Sequence, residues 1–309
     1  MIVRSQKTAE APCPAPDRAG LVVFTDLDGT LIDFHTYSPR VALPAVRALL
    51  AGGDRLVFCS SKTLEEQLAI MEQIGIRVPA IVENGSAIFL PAEDPLRPPE
   101  SVATQSIYGG TLAVLGTPAN TIRTTLRSLE AELGIDLEGY GKLSEDVLMA
   151  RTGLAPAAAA RARRRAFSET LTAQLPPEDW ARVDRHLQAA GLVRRFGGRF
   201  HTVTAAGCDK GRAARAFMDW LRAASRAAAQ PPGADRWVSI GLGDSANDRE
   251  MLASVEQPFL VQRPDGSWTD LDLPAVHRVP GVGPHGWVHA IRSLIEPPPR
   301  RPPTPPPNC

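Results

Sequence analysis

Between residues 20 and 90 short apolar runs alternate with longer helix-like ones: LVVFT at 21–25, VALPAVRALLAGG at 41–53, LVFCS at 56–60, TLEEQLAIMEQIG at 63–75 and PAIVENG at 79–85. Strands separated by helix-length segments run parallel, because the chain must cross back before it pairs again, and such crossovers are right-handed. The alternation therefore predicts βαβ units on a parallel sheet, an α/β fold. Thr63 with Glu66 three residues later makes a capping box that starts the second helix, so the strand before it ends near Ser60. The same style returns late in the chain: DKGRAARAFMDWLRAA reads as a helix, RWVSIGLG as a strand, NDREMLASV as a helix and PFLVQR as a strand.

From about 91 to 199 the pattern changes, which predicts an inserted second domain between core segments 20–90 and 200–296. In TPANTIRTTLRSLEAEL, Ile122, Leu126, Leu129 and Leu133 share one helical face, with Thr117 and Pro118 as start signals. PEDWARVDRHLQAAG repeats the pattern with Trp180, Val183 and Leu187 and stops at Gly191. LVRRF and RFHTVT flank Gly197-Gly198, a two-residue hairpin signal, so the insertion reads as a mixed α/β cap with antiparallel strands. Residues 1–19 contain APCPAP and residues 297–309 read PPPRRPPTPPPNC; both ends read as solvated, polyproline-like tails.

At 309 residues the chain has room for two domains, and 43% hydrophobic content can fill their cores. Lys plus Arg equal Asp plus Glu at 34 each, so no overall field draws in nucleic acid or an anionic membrane. With no signal-peptide stretch and no run of about 18 apolar residues, the sequence reads as cytoplasmic and without a membrane partner. Cys13, Cys59, Cys208 and Cys309 lie far apart with no CxxC spacing, which argues against a zinc knuckle or a disulfide framework. His35, His201, His277, His285 and His289 show no metal-ligand spacing either.

The first strand runs out into DLDGT, Asp26 to Thr30. Two carboxylates one residue apart repel each other and stay ionised only beside a cation or a hydrogen-bond network. Magnesium suits them, since it takes oxygen ligands and is held by one or two carboxylates with a substrate phosphate. Gly29 permits a sharp turn and Thr30 offers a hydroxyl. Taken alone, DLDGT is also readable as a strand end with an acidic turn. Four further residues stand at the ends of core elements: Ser60 after LVFC, Lys210 opening a helix, and Asp244 and Asp248 in GDSANDREML. Alone they read as a turn serine, a surface lysine and a capped loop. The carboxyl ends of parallel strands form one rim, however, and ligands bind outside it. Asp26, Ser60 and Asp244 are expected to meet there, with Lys210 nearby; the set is specific where its parts are not.

With these motifs the chain resembles the haloacid dehalogenase superfamily of phosphohydrolases over about residues 20–295. The resemblance implies a Rossmann-like parallel-sheet core with an inserted α/β cap of the second type between the Ser60 and Lys210 motifs. FCSSKT at 58–63, VENG at 82–85, RTGL at 151–154, GGRF at 197–200, DKG at 209–211 and GPHGW at 283–287 are similar to mannosyl-3-phosphoglycerate phosphatases. Related sugar phosphatases have a TGR-like sequence in place of SSKT. The stretch RRAFSET departs from that family's R-E-F-S-E-P at Ala166 and Thr170.

The resemblance implies that Asp26 is the nucleophile, forming an aspartyl-phosphate, and that Asp28 protonates the leaving group and then activates water. It implies Mg2+ held by Asp26, the Asp28 carbonyl oxygen and Asp244, with Asp248 acting through water or by orienting Asp244. Ser60 and Lys210 are expected on the phosphoryl oxygens, where charge is stabilised. The implied substrate is a small phosphorylated glycosyl-glycerate, whose carboxylate calls for arginines and exposed amides. Candidates to bind it are Arg151, Thr152 and Gly153 of RTGL, Ser61 and Lys62 beside Ser60, and Asn247. Arg161, Arg163 and Arg164 read as a solvated face, whereas Arg165, followed by Ser168 and Glu169, matches the family pattern, with Glu169 for sugar hydroxyls. The leading reading is hydrolysis of mannosyl-3-phosphoglycerate in the synthesis of a small charged solute. A glucosyl-3-phosphoglycerate or broader sugar-phosphate phosphatase, a phosphomannomutase-like phosphotransferase and a non-catalytic binding protein stay open. So do monomer and homodimer. The inserted cap invites closure about a hinge.

Overall fold

The computed structural model describes residues 19–197, 199–227 and 236–296, so the readings of both Pro-rich tails, of Cys13 and Cys309 and of Gly198 lie outside the described residues. Strands β1 (Gly20–Thr25), β2 (Arg55–Cys59) and β3 (Ala80–Val82) alternate with helices α1 (Leu43–Ala51) and α2 (Leu64–Ile74). Val22, Val23, Phe24, Val57 and Phe58 are fully buried, as strands covered on both faces require. The α2 capping box is present: the Glu66 amide donates to Thr63 Oγ1 at 3.2 Å and the Thr63 amide to Glu66 Oε2 at 2.8 Å. Next come β4 (Ala87–Pro91), β5 (Thr104–Ile107) and β6 (Gly110–Val114).

The cap carries α3 (Ala119–Leu133), α4 (Glu145–Thr152), α5 (Pro156–Arg163), β7 (Glu169–Leu171), α6 (Pro177–Ala189), β8 (Leu192–Phe196) and β9 (His201–Ala205). The core resumes with α7 (Lys210–Ala227), β10 (Trp237–Gly243), α8 (Arg249–Leu252), β11 (Gln257–Gln262), β12 (His277–Val282) and α9 (Pro284–Ile295). None of the described helices is long and apolar enough to cross a membrane.

The core sheet has nine strands in the order β12-β11-β10-β1-β2-β3-β4-β6-β5. It is parallel from β12 to β3, and antiparallel from β3 to β5. One face packs on α1, α2 and α9 through residues such as Leu49, Met71 and Trp287, and the other on α7 and α8 through Phe217, Met218 and Met251. The α/β expectation holds, with helices on both faces of a mostly parallel sheet. The cap has its own core, in which Ile122, Leu126 and Leu129 of α3 and Val183 and Leu187 of α6 cover the sheet β7-β9-β8.

Two sequence expectations need correcting. The strand β6, expected in the cap, pairs antiparallel with β4, and β5 pairs with β6, so residues 104–114 extend the core sheet. The strand β9 joins the cap sheet, as the hairpin reading of RFHTVT expected, so the boundary drawn at residue 199 moves beyond it. By sheet membership the cap therefore begins after Val114 and runs through Ala205. The backbone hydrogen bonds decide this, because β4 folds straight back on β3 and leaves an edge that a second hairpin fills. The β8–β9 connection is also longer than the two residues predicted: Phe196 pairs with His201, and the Gly197 amide donates to the Phe200 carbonyl at 2.8 Å.

Candidate active site

The three adjacent parallel strands β10, β1 and β2 end together, so Asp244, Asp26 and Ser60, each the residue after its strand, reach one rim. The Asp26 amide donates to the Leu242 carbonyl at 2.9 Å, continuing the β1–β10 ladder to the carboxylate itself. Gly29 then turns the chain at φ +76°, and a Cβ there would stand 3.1 Å from Asp244 Oδ2. Thr30 Oγ1 donates to Asp244 Oδ1 at 3.2 Å, which joins the first motif to the last. Beneath them Trp287, fully buried near the start of α9, donates from Nε1 to Thr25 Oγ1 at 3.1 Å. GPHGW is thus the turn into α9, with Pro284 as its first residue.

Lys210 enters from the first turn of α7, where Asp209 Oδ1 accepts the Arg212 amide at 2.7 Å as a cap. Its side chain is 1% exposed, and Nζ donates to Asp26 Oδ1 at 2.6 Å and Asp248 Oδ1 at 2.7 Å. Asp248 Oδ2 accepts the Asp244 and Ser245 amides and the Ser245 hydroxyl, all at 3.1 Å. Asp248 therefore holds both Lys210 and the loop that presents Asp244.

Carboxylate oxygens of Asp26, Asp244 and Asp248 lie within 4.8 Å of one another. One ammonium against three carboxylates leaves two negative charges in a buried site. Burial, and next the charge of Asp248, push Asp26 well above the usual carboxylate range even against Lys210. Burial and Asp248 push Asp244 up to about 7, against the Thr30 hydroxyl. Burial pulls Lys210 down, but Asp248 and Asp26 raise it above an ordinary lysine. A hard divalent cation is the partner that relieves such a cluster, because all the donors are oxygens and the excess charge is two. The residues present therefore fit the expected metal.

The Asp28 carboxylate stands outside that cluster: Oδ2 meets Lys62 Nζ at 2.8 Å, while Oδ1 is buried without a partner. Burial pulls the Lys62 ammonium down, and Asp28 and Glu66 raise it above the usual value. Asp26, Asp28, Ser60, Ser61, Lys62, Thr152, Arg165, Asp244 and Asn247 all line one cleft of about 810 Å³ between core and cap.

Arg151, Gly153, Ser168 and Glu169 are not on its wall. The Arg151 guanidinium forks onto Glu138, with Nη2 to Oε1 at 2.5 Å, and also reaches Thr172. Gly153 caps α4 at φ +76°. Glu169 holds Arg123 Nε at 2.5 Å and the Gly141 amide at 3.0 Å inside the cap. Ser168 lies between Arg165 Nε at 2.7 Å and Glu83 Oε2 at 2.5 Å. The cleft wall instead includes Asn84 and Tyr37 from the core and Arg195, Arg199 and Thr202 from the β8–β9 hairpin, with Arg263 after β11. The paired arginines of LVRRF and GGRF on a hairpin were the signal available for two of these.

A model of the haloacid dehalogenase-like hydrolases matches residues 23–96. Over 278 residues the chain is 35% identical to the glucosyl-3-phosphoglycerate/mannosyl-3-phosphoglycerate phosphatase of Methanococcoides burtonii, covering 89% of this chain and 97% of that one. The chain belongs to the haloacid dehalogenase-like hydrolases. It is a phosphoric monoester hydrolase of that family. It is also 33% identical over 243 residues to the mannosyl-3-phosphoglycerate phosphatase of Pyrococcus furiosus, covering 78% of this chain and 90% of that one. Among solved structures, a phosphatase of the same superfamily from Bacteroides thetaiotaomicron superposes with a TM-score of 0.60 at 16% identity, over 93% of this chain and 99% of that one. A haloacid dehalogenase-like hydrolase from B. subtilis superposes at 0.56 with 17% identity, over 89% and 98%. At these identities the two structures speak for the fold of this hydrolase alone.

Proposed function

We propose that this hydrolase removes the phosphate of a glycosyl-3-phosphoglycerate, mannosyl or glucosyl, through an aspartyl-phosphate on Asp26. The observation that carries the chemistry is the buried contact of Lys210 with Asp248 and with Asp26, the last of which lines the cleft. Lys210 holds Asp26 Oδ1, which leaves the other carboxylate oxygen to attack phosphorus in line with the leaving glycerate oxygen. Asp28, two residues on and steered by Lys62, gives its proton to that oxygen and then takes one from the water that opens the acyl-phosphate. Ser60 and Lys210 offer a hydroxyl and an ammonium to the phosphoryl oxygens. Asp26 and Asp244, with Asp248 behind them, would hold a magnesium ion, which when bound supplies neutralising charge beside the phosphoryl group.

The substrate reading rests on two supports. The relatives that cover most of the chain are named for glycosyl-3-phosphoglycerates. The cleft wall also carries Arg165, Arg195 and Arg199 from the cap and Arg263 from the core, a basic lining suited to a glycerate carboxylate. Thr152, Thr202 and Asn247 are the hydroxyl and amide groups offered to the sugar. The test is phosphate release from mannosyl- and glucosyl-3-phosphoglycerate, free 3-phosphoglycerate and mannose phosphates, with and without magnesium. Equal kcat/KM on all four would sink the substrate assignment, and full activity in excess chelator would sink the metal.

A further inference from the structure

We propose that Glu83 is a positioning residue that fixes the cap over the phosphate site. It follows β3 in a turn of three left-handed residues, Glu83 at φ +49°, Asn84 at φ +58° and Gly85 at φ +88°. Two of these carry side chains, and such conformations persist only where the surroundings hold them. A Cβ on Gly85 would stand 2.1 Å from the Asp209 carbonyl oxygen, so the turn lies directly on the start of α7 and cannot relax outward.

The Glu83 side chain is 2% exposed, and both of its oxygens bond to the cap. Its Oε1 accepts the Ala166 amide at 2.8 Å, and Oε2 accepts the Phe167 amide at 3.0 Å and the Ser168 hydroxyl at 2.5 Å. Arg165 Nε stands 3.9 Å from Oε2. All these donors belong to the segment through which the cap enters β7. The same turn and the same arginine grip the phosphate loop. The carbonyls of Ser60, Ser61 and Lys62 accept in order from the Asn84 amide at 3.1 Å, Arg165 Nη2 at 2.5 Å and the Glu83 amide at 3.0 Å. Three successive carbonyl dipoles are thereby engaged by protein donors beside a site that must receive a phosphate. The cap and the phosphate loop are thus joined through one core carboxylate, so the placing of the cap wall relative to Asp26 depends on Glu83.

The experiment uses the full chain with Glu83→Gln, an isosteric change that keeps one acceptor and removes the charge. Two readouts are taken: amide hydrogen exchange at Ala166 and Phe167, and kcat and KM on two esters. Phenyl phosphate needs only the core, and that comparison rests on the phosphatase chemistry alone. Glucosyl-3-phosphoglycerate reaches the cap, and that arm rests on the proposed substrate. The expected result is exchange at both amides faster by on the order of tenfold, with KM for the glycosyl ester up by a similar factor and kcat/KM on phenyl phosphate within about twofold of wild type. Ser168→Ala in the Glu83→Gln background should add little, since both changes break one network. Unchanged exchange, or an equal loss on both esters, overturns the inference. Should Glu83→Gln fail to fold, Ser168→Ala alone is read in the same way. A wild type without preference for the glycosyl ester would refute the proposed substrate instead, while the exchange comparison still decides the role of Glu83.

Discussion

Replacing Asp244 with asparagine should make the metal-free protein more stable while ending its phosphatase activity. Asp244 is buried, and its pKa rises from 3.8 to about 7, chiefly through burial and then through Asp248. A carboxyl with a raised folded pKa binds its proton more tightly folded than unfolded, so wild-type stability falls as pH climbs from about 4 to about 7. Three units at about 1.4 kcal/mol each set a ceiling of roughly 4 kcal/mol lost by pH 8. Because Asp26 and Asp248 share the repulsion, the substitution should recover about 2–4 kcal/mol at pH 8 and about 1–2 kcal/mol at pH 5, where Asp244 keeps its proton in the folded protein but has lost it in the unfolded chain. Asparagine keeps an oxygen for the Thr30 hydroxyl, so no contact is lost to blur the comparison. The assay is urea unfolding of both proteins in chelator at pH 5 and pH 8, repeated with magnesium. Wild type should regain stability with the ion, by about 2.7 kcal/mol at a hundredfold excess over Kd, and the variant should regain less. An asparagine variant less stable than wild type at pH 8 in chelator, or equally favoured at both pH values, would show that Asp244 is not under this strain.

Asp26→Asn should lower kcat by at least about 10³-fold with the fold intact, as seen by phosphate release and circular dichroism. Lys210→Met leaves the buried Asp26 and Asp248 without their cation and should cost about 3–5 kcal/mol in chelator, measured by urea unfolding, with part of the loss restored by magnesium. Thr63→Ala removes both the α2 cap and the hydroxyl bond to the Arg161 carbonyl of the cap, at 3.2 Å, and should cost about 1–2 kcal/mol by the same assay.

Much of the rim was legible because it follows from topology. Once LVVFT, LVFC and VSIGLG are parallel neighbours, the residues just beyond them, Asp26, Ser60 and Asp244, have to share an edge. The substrate wall was not legible in the same way. Lys62 and Arg165, selected from the sequence, do line the cleft, but Arg151 and Glu169, selected with them, are drawn into the cap by Glu138 and Arg123. Arg195 and Arg199 reach the cleft only because the β8–β9 hairpin leans over it.

The α/β class, the capping box at Thr63 and the residues that carry charge to the rim could be read from the chain alone, since these depend on period, spacing and strand order. Tertiary structure alone decided where the insertion begins, because hydrogen bonds between β4 and β6 settle which sheet residues 104–114 join. It also decided what Glu83 does. A glutamate after a short strand reads as an ordinary turn residue until the amides of residues 166 and 167, more than eighty positions away, close on its carboxylate.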